Sequence, residues 1–200
     1  MSIKPHQVGQ TGESVGQLSF FEIAQTQEPA SSNEVEVHFV QGFLGAREAD
    51  FLFDYLKNLN GWKQDVICIF GQARPLPRLH RWFAHSGQPY RWSGIEMIPE
   101  PFPDVLGRIL DALQEERGIR FNTALGNLYR DGMDSVAWHS DDEPELGPNP
   151  VIASLSLGAT RRFLMRKKSD HKVVRSYELG HGSLLWMAGS TQAHWEHAIP

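Results

Sequence analysis

The run Trp138-His139-Ser140-Asp141 sets an imidazole and a carboxylate two residues apart. On extended backbone, residues i and i+2 project to the same side, so His139 and Asp141 can grip one ion. A third donor must come from elsewhere in the chain. Read as a strand, Thr191 to Ile199 places Thr191, Ala193, Trp195, His197 and Ile199 on one face, with His194 and Glu196 on the other. His197 then belongs to a face whose other residues are mostly uncharged. Two imidazoles and one carboxylate, with no thiolate, suit Fe(II) and leave coordination positions open for substrates. The spacing is weak by itself, because the chain has nine histidines. For His139 and Asp141 in isolation, a surface histidine beside an aspartate is the ordinary alternative.

The elements that must hold such donors are legible from periodicity. Val35 to Val40 alternates as a strand does. Leu52, Tyr55, Leu56 and Leu59 fall at helical spacing and predict an amphipathic helix over 46–59. Leu106, Ile109, Leu110 and Leu113 repeat that pattern between a start near Pro103 and Asp104 and a stop at Gly118. Such apolar stripes are core contacts. After Gly118 the period changes to two. Phe121 to Arg130, Val151 to Leu157, Arg162 to Met165, Val173 to Leu179, Ser183 to Met187 and Thr191 to Ile199 read as short strands punctuated by turn residues. Successive strands without intervening helices predict an antiparallel sandwich or barrel, with the two preceding helices bracing one sheet from outside.

Composition bounds the rest. Two hundred residues make one domain, or one domain and a tail. No apolar run approaches the ~20 residues of a membrane-spanning helix, and Met1 to Gln10 lacks the apolar stretch of a secretory signal. The single cysteine, Cys68, excludes an internal disulfide framework and a thiolate metal cage. An intracellular, cytoplasmic monomer is expected, nucleoid-associated if the host is bacterial. The formal charge of −5 and pI near 6.0 offer no bulk attraction to a polyanion. Residues 1–33 are rich in Gln, Ser, Gly and Thr and predict a flexible tail. Within it, Gln17, Leu18, Ser19, Phe20 and Phe21 form an apolar island. It reads either as a pad docked on the fold or as a peptide similar to those by which bacterial repair proteins hold the sliding clamp.

Several strings occur in one order: Asn127-Leu128-Tyr129-Arg130-Asp131-Gly132, His139-Ser140-Asp141-Asp142-Glu143, Ile152-Ala153-Ser154-Leu155-Ser156-Leu157-Gly158-Ala159, and Thr191-Gln192 through Trp195-Glu196-His197. Together they closely resemble the AlkB family of Fe(II)- and 2-oxoglutarate-dependent dioxygenases, in particular the branch that repairs alkylated bases. The likeness runs from about Glu34 to Pro200. It implies an α+β, mainly β fold, a double-stranded β-helix or jelly roll, with iron held by His139, Asp141 and His197. It also implies that Asn127, Leu128 and Tyr129 form the 2-oxoglutarate segment, and that dioxygen is the oxidant. Asn127 and Tyr129 lie two apart on a strand, so an amide and a phenol face one side.

The resemblance implies oxidative demethylation of 1-methyladenine and 3-methylcytosine in DNA, with RNA as an alternative. Those bases are cationic, so acids and π-faces are expected around them. Asp142 resembles a base contact, and Glu143 is either a second one or a solvated acid. Tyr90, Arg91 and Trp92 resemble the segment whose last aromatic stacks on an extruded base, a cation–π contact worth ~0.5–2 kcal/mol. Phe70, Gly71 and Gln72, after Ile69, look like a hairpin that wedges into a duplex; Phe70 reads equally as a buried strand residue. Arg78, in Pro77-Arg78-Leu79, is the favoured phosphate contact. Arg74, Arg81 and Arg91 also decorate the recognition region. Arg161, Arg162, Arg166, Lys167 and Lys168 concentrate basic charge that is either a phosphate contact or a solvated strand face.

The family pattern continues beyond Pro200 into a strand carrying Arg-x-Asn-x-Thr-Phe-Arg or similar, whose first arginine anchors the cosubstrate. By that comparison residues 34–200 are a dioxygenase domain without its final strand. Losing a charge-assisted hydrogen bond of roughly 1.5–3 kcal/mol weakens cosubstrate binding by about tenfold or more, and an exposed strand edge is expected. The rival expectations are the same chemistry on a protein or small molecule, and an inactive nucleic-acid-binding homologue.

Overall fold

The computed structural model describes residues 13–22, 35–69, 71–85, 90–92 and 95–200, by backbone alone at 69, 90–92 and 95–97. The strands of the first half are β1 (Val15–Phe21), β2 (Val35–Val40), β3 (Val66–Ile69), β4 (Gln72–Pro75), β5 (Leu79–Ala84), β6 (Tyr90–Trp92) and β7 (Ile95–Met97). Helix α1 (Ala46–Lys57) separates β2 from β3, and α2 (Gly107–Arg117) follows β7. Then come β8 (Thr123–Tyr129), β9 (Val136–His139), β10 (Ile152–Gly158), β11 (Arg161–Lys167), β12 (Asp170–Leu179) and β13 (Ser183–Gly189). A single helical turn, α3 (Thr191–His194), leads into β14 (Trp195–Ile199).

Six strands form one antiparallel sheet in the order β2-β13-β10-β1-β8-β5, and four form a second in the order β12-β11-β14-β9. The two pack face to face, as the antiparallel sandwich that the strand run predicted and the jelly roll that the resemblance implied. Period-two alternation sorts each strand of the larger sheet. On β1, Leu18 and Phe20 join Ala124, Leu155, Leu157, Leu184 and Trp186 on the outer face, where α1 and α2 cover them with Leu52, Leu56, Ile109 and Leu113. Val15 and Phe21 face inward with Tyr129, Ile152, Leu185 and Met187, against Phe163 and Met165 of the smaller sheet. Each fully buried large side chain contributes about 1.5–3 kcal/mol. The two helices therefore brace one sheet from outside, as periodicity predicted. α2 stops where expected, at Gly118 in the left-handed conformation (φ 71°).

Two predicted boundaries are corrected. Residues 15–21 are not tail. They pair with β10 from Val15 to Phe20 and with β8 along their whole length, which puts them in the middle of the larger sheet. Gln17, Leu18, Phe20 and Phe21 are buried there. A clamp-binding peptide must offer its side chains and an open backbone edge, and this strand has neither to offer. Residues 1–12 and 23–33 lie outside the described residues. The second correction concerns Thr191 to Ile199. Its first four residues form α3, so strand alternation holds only from Trp195, where Trp195, His197 and Ile199 are buried.

The exposed edge expected beside the site is not found at β8 or at β14. β8 pairs with both β1 and β5, and β14 with both β11 and β9. Among the described residues no helix is long and apolar enough to cross a membrane.

Candidate active site

The cavity between the sheets is lined by Gln17, Ser19, Arg78, Asn127, Tyr129 and Ser154 on the larger sheet's side, and His139, Asp141, Phe163 and His197 opposite. His139 ends β9, and Asp141 follows it on the extended run predicted to bring the two together. β14 delivers His197 beside them, in register with His139. The ladder there is irregular: Val136 to His139 on β9 spans the interval of His197 to Ile199 on β14. The extra residue is a bulge, which re-aims side chains beside a site, and Val136 and His139 both reach the cavity.

One donor atom each from His139, Asp141 and His197 lies within 4.8 Å of the others. His139 Nε2 is 3.7 Å from Asp141 Oδ1, and His197 Nε2 is 3.4 Å from Asp141 Oδ2. Both carboxylate oxygens and both Nε2 atoms therefore point at one small volume. The Ala137 carbonyl 2.8 Å from His139 Nδ1 can only accept, so Nδ1 carries the hydrogen and the Nε2 lone pair faces the other donors. Phe163 stacks on the His197 ring with centroids 5.2 Å apart and fixes its plane.

Electrostatics make this cluster costly without a cation. Burial pushes the Asp141 carboxyl up to about 7, with the Asp142 charge adding to the shift. Burial holds the His197 imidazole well below its usual value, reinforced by His139 and Lys168. Burial also lowers His139. Neutral imidazoles are what a metal requires, and a divalent ion would draw the proton from Asp141. The donor set fits Fe(II), with coordination positions left for substrates.

The other predicted residues divide. Asn127 and Tyr129 face the cavity, both buried. Leu128 alternates to the opposite face, against Phe53, Leu56 and Trp62, so it is a core residue and not a cosubstrate contact. Tyr129 is fully buried, and burial pushes its hydroxyl up to about 12, so it remains a neutral donor. Arg78 is corrected from a phosphate contact. It is only 4% exposed, its Nε donates to Asn127 Oδ1 at 2.8 Å, and it lines the cavity. With its oxygen committed to Arg78, the Asn127 amide keeps its N–H donors for a ligand. The Pro77-Arg78-Leu79 string marked this residue, while its depth in the fold was not readable from sequence.

Asp142 is exposed and pairs with Lys168 at 3.1 Å, outside the cavity lining. Glu143 is half-buried. Gly71 and Gln72 sit at the turn of the exposed β3–β4 hairpin, Gly71 at φ 74°, and Arg74 donates to the Gln72 side chain. The predicted wedge Phe70 lies outside the described residues. Tyr90, Arg91 and Trp92 pair as a strand with β7, and their side chains lie outside what is described. The basic cluster is largely engaged. Arg166 pairs with Glu196 and stacks on Trp138, Arg161 donates to the carbonyls of Asp131 and Asp134, and Arg162 and Lys167 are exposed. Gln17 and Ser154 are cavity residues to which the sequence strings containing them gave no site role; their polarity at period-two positions, with Ser19 and Ser156, was the available signal.

A jelly roll with two imidazoles and a carboxylate converging inside it defines a non-haem iron oxygenase. The chain matches the 2OG-Fe(II) oxygenase superfamily over residues 36–200. It is 44% identical over 168 residues to alpha-ketoglutarate-dependent dioxygenase alkB homolog 3 of Rattus norvegicus, covering 80% of this chain and 56% of that protein. It is 37% identical over 167 residues to DNA oxidative demethylase ALKBH2 of Mus musculus, covering 78% of this chain and 70% of that protein. The solved structure of OsALKBH1 superposes with a TM-score of 0.57 at 20% identity, covering 88% of this chain and 87% of that one. That last likeness speaks for the fold alone. The chain belongs to the 2OG-Fe(II) oxygenase superfamily and, within it, to the AlkB family. It spans a little over half the length of the alkB homolog 3 protein it matches.

Proposed function

We propose that this protein removes N-methyl groups oxidatively from 1-methyladenine and 3-methylcytosine in DNA, using Fe(II), 2-oxoglutarate and dioxygen. The observation that carries this reading is the convergence of His139, Asp141 and His197 in a cavity whose other wall presents Arg78, Asn127 and Tyr129. The similarity to a DNA oxidative demethylase supports nucleic acid as the substrate class.

His139, Asp141 and His197 would hold the iron, which with 2-oxoglutarate and dioxygen would supply the oxidising power to hydroxylate an N-methyl carbon, the hydroxymethyl group then being lost as formaldehyde. The chain's own residues position and exclude. His139, held through Nδ1 by the Ala137 carbonyl, and His197, held by Phe163, fix two metal-facing nitrogens before any ion arrives. Ser140 donates to the Trp195 carbonyl at 2.9 Å, and Gln192 accepts from the Asp141 backbone N–H at 3.1 Å. Those two bonds tie the run from His139 to Asp141 to α3 and the start of β14, so both halves of the triad keep one geometry. Arg78 offers a cation and the Asn127 amide its N–H donors to a dicarboxylate, while the Tyr129 hydroxyl donates to Gln17 Oε1. Phe21, Leu125, Val136 and Met187 complete the cavity wall and limit water. Asp142, exposed and paired with Lys168, directly follows Asp141, and the resemblance makes it the candidate contact for a cationic base.

The test is a single-stranded oligonucleotide bearing one 1-methyladenine, incubated with the chain, Fe(II) and 2-oxoglutarate. Demethylation with matching formaldehyde release is expected. Turnover of a peptide substrate but not of the oligonucleotide would overturn the nucleic-acid assignment.

A further inference from the structure

Gln17 lies outside the region that matches the family, yet it is 6% exposed and lines the same cavity as the triad. β1 places it there by alternation, with Ser19 and Phe21 on the same face. Its Nε2 donates to Ser154 Oγ at 2.8 Å, and its Oε1 accepts from the Tyr129 hydroxyl at 3.2 Å. The amide thus joins β8 to β10 through a strand that sequence periodicity assigned to a tail. A carboxamide has two N–H donors, and a phenol has one. One amide hydrogen is used on Ser154, and the only Tyr129 proton is used on Gln17. The polar wall of Arg78, Asn127 and Tyr129 therefore continues onto β1, with the second Gln17 N–H as a further donor.

We propose that Gln17 belongs to the cosubstrate site, giving its second amide hydrogen to a carboxylate of 2-oxoglutarate while its oxygen orients the Tyr129 hydroxyl. A buried amide at this position suits a dianion: it donates, it carries no charge of its own, and no water need be ordered to bridge it. The inference rests on the proposed cosubstrate use of the cavity.

Calorimetric titration of 2-oxoglutarate into the Mn(II)-loaded chain under nitrogen tests it. Gln17→Glu keeps the shape and sets a carboxylate against the ligand, so the Kd should rise about tenfold or more while Mn(II) affinity stays at the wild-type value. A wild-type Kd in Gln17→Glu that still binds Mn(II) would overturn the proposal. Because this strand is central, the wild-type chain gives a readout free of substitution. Loaded with Zn(II), its Gln17 side-chain amide signals, assigned by triple-resonance NMR, should shift on adding 2-oxoglutarate. Unmoved signals at saturation would overturn the proposal whether or not Gln17→Glu folds. If the wild-type chain with metal takes up no 2-oxoglutarate at all, the cosubstrate reading fails and this inference fails with it. Uptake indifferent to Gln17 sinks this inference alone.

Discussion

Arg78 Nε donates to Asn127 Oδ1 across 2.8 Å inside the barrel, joining a residue just before β5 to the centre of β8. The contact puts a buried cation beside the amide that faces the metal cavity. Burial lowers the Arg78 pKa from its usual value, while Tyr129 and Asp134 act in the opposite sense. A guanidinium kept at 4% exposure in such a place is suited to an anionic ligand.

Arg78→Ala should therefore do two things. Leaving Asn127 Oδ1 without its donor costs about 1–3 kcal/mol of folding stability, read as a lower urea midpoint. The 2-oxoglutarate concentration for half-maximal turnover should rise about tenfold or more. Arg78→Lys keeps the charge but not the planar fork, and should recover only part of either loss. A stability and half-saturation both unchanged in Arg78→Ala would remove this residue from the site.

Phe20→Ala tests the place of β1. Phe20 is fully buried with Phe121, their ring centroids 6.2 Å apart. Truncating such a side chain costs ~3–5 kcal/mol, so chemical denaturation should show a large drop in midpoint. A residue in a solvated tail would show none, and a midpoint equal to the wild type's would restore the tail boundary at 33.

Tyr129 gives the chain an alkaline sensitivity. The folded state pushes its hydroxyl from 10.0 up to about 12 by burial. Below pH ~10 both states hold a neutral phenol, and the group has no effect on stability. Between ~10 and ~12 the unfolded chain ionises first, and up to about 3 kcal/mol is lost at 1.36 kcal/mol per unit. Urea titrations of Tyr129→Phe across that range should show a shallower decline than the wild type. Parallel curves would show that Tyr129 is not the group responsible.

The donor triad and most strands after Gly118 were legible because period-two patterning and ordered motifs carry local information. What sequence misplaced has a common physical cause. Gln17 and Ser19 alternate with Leu18 and Phe20 as β1 requires, but the stretch lies in a segment rich in Gln, Ser, Gly and Thr, so a central strand read as tail. Thr191 to His194 matched strand alternation, but α3 turns there to swing β14 under the triad. Leu128 sits between Asn127 and Tyr129 in sequence, yet the pleat turns it to the helix-covered face. The Pro77-Arg78-Leu79 string singled out Arg78 as a phosphate contact; only the tertiary fold shows it buried and reaching Asn127.

The central claim is that one ion is held by side chains from two separate strands. The direct measurement is an anomalous-difference map from crystals grown with Mn(II) and 2-oxoglutarate under nitrogen. A single strong peak bonded to Nε2 of His139, Nε2 of His197 and the carboxylate of Asp141 is the result expected. A chain that takes up manganese elsewhere, or whose peak is met by only one of the three residues, would contradict it.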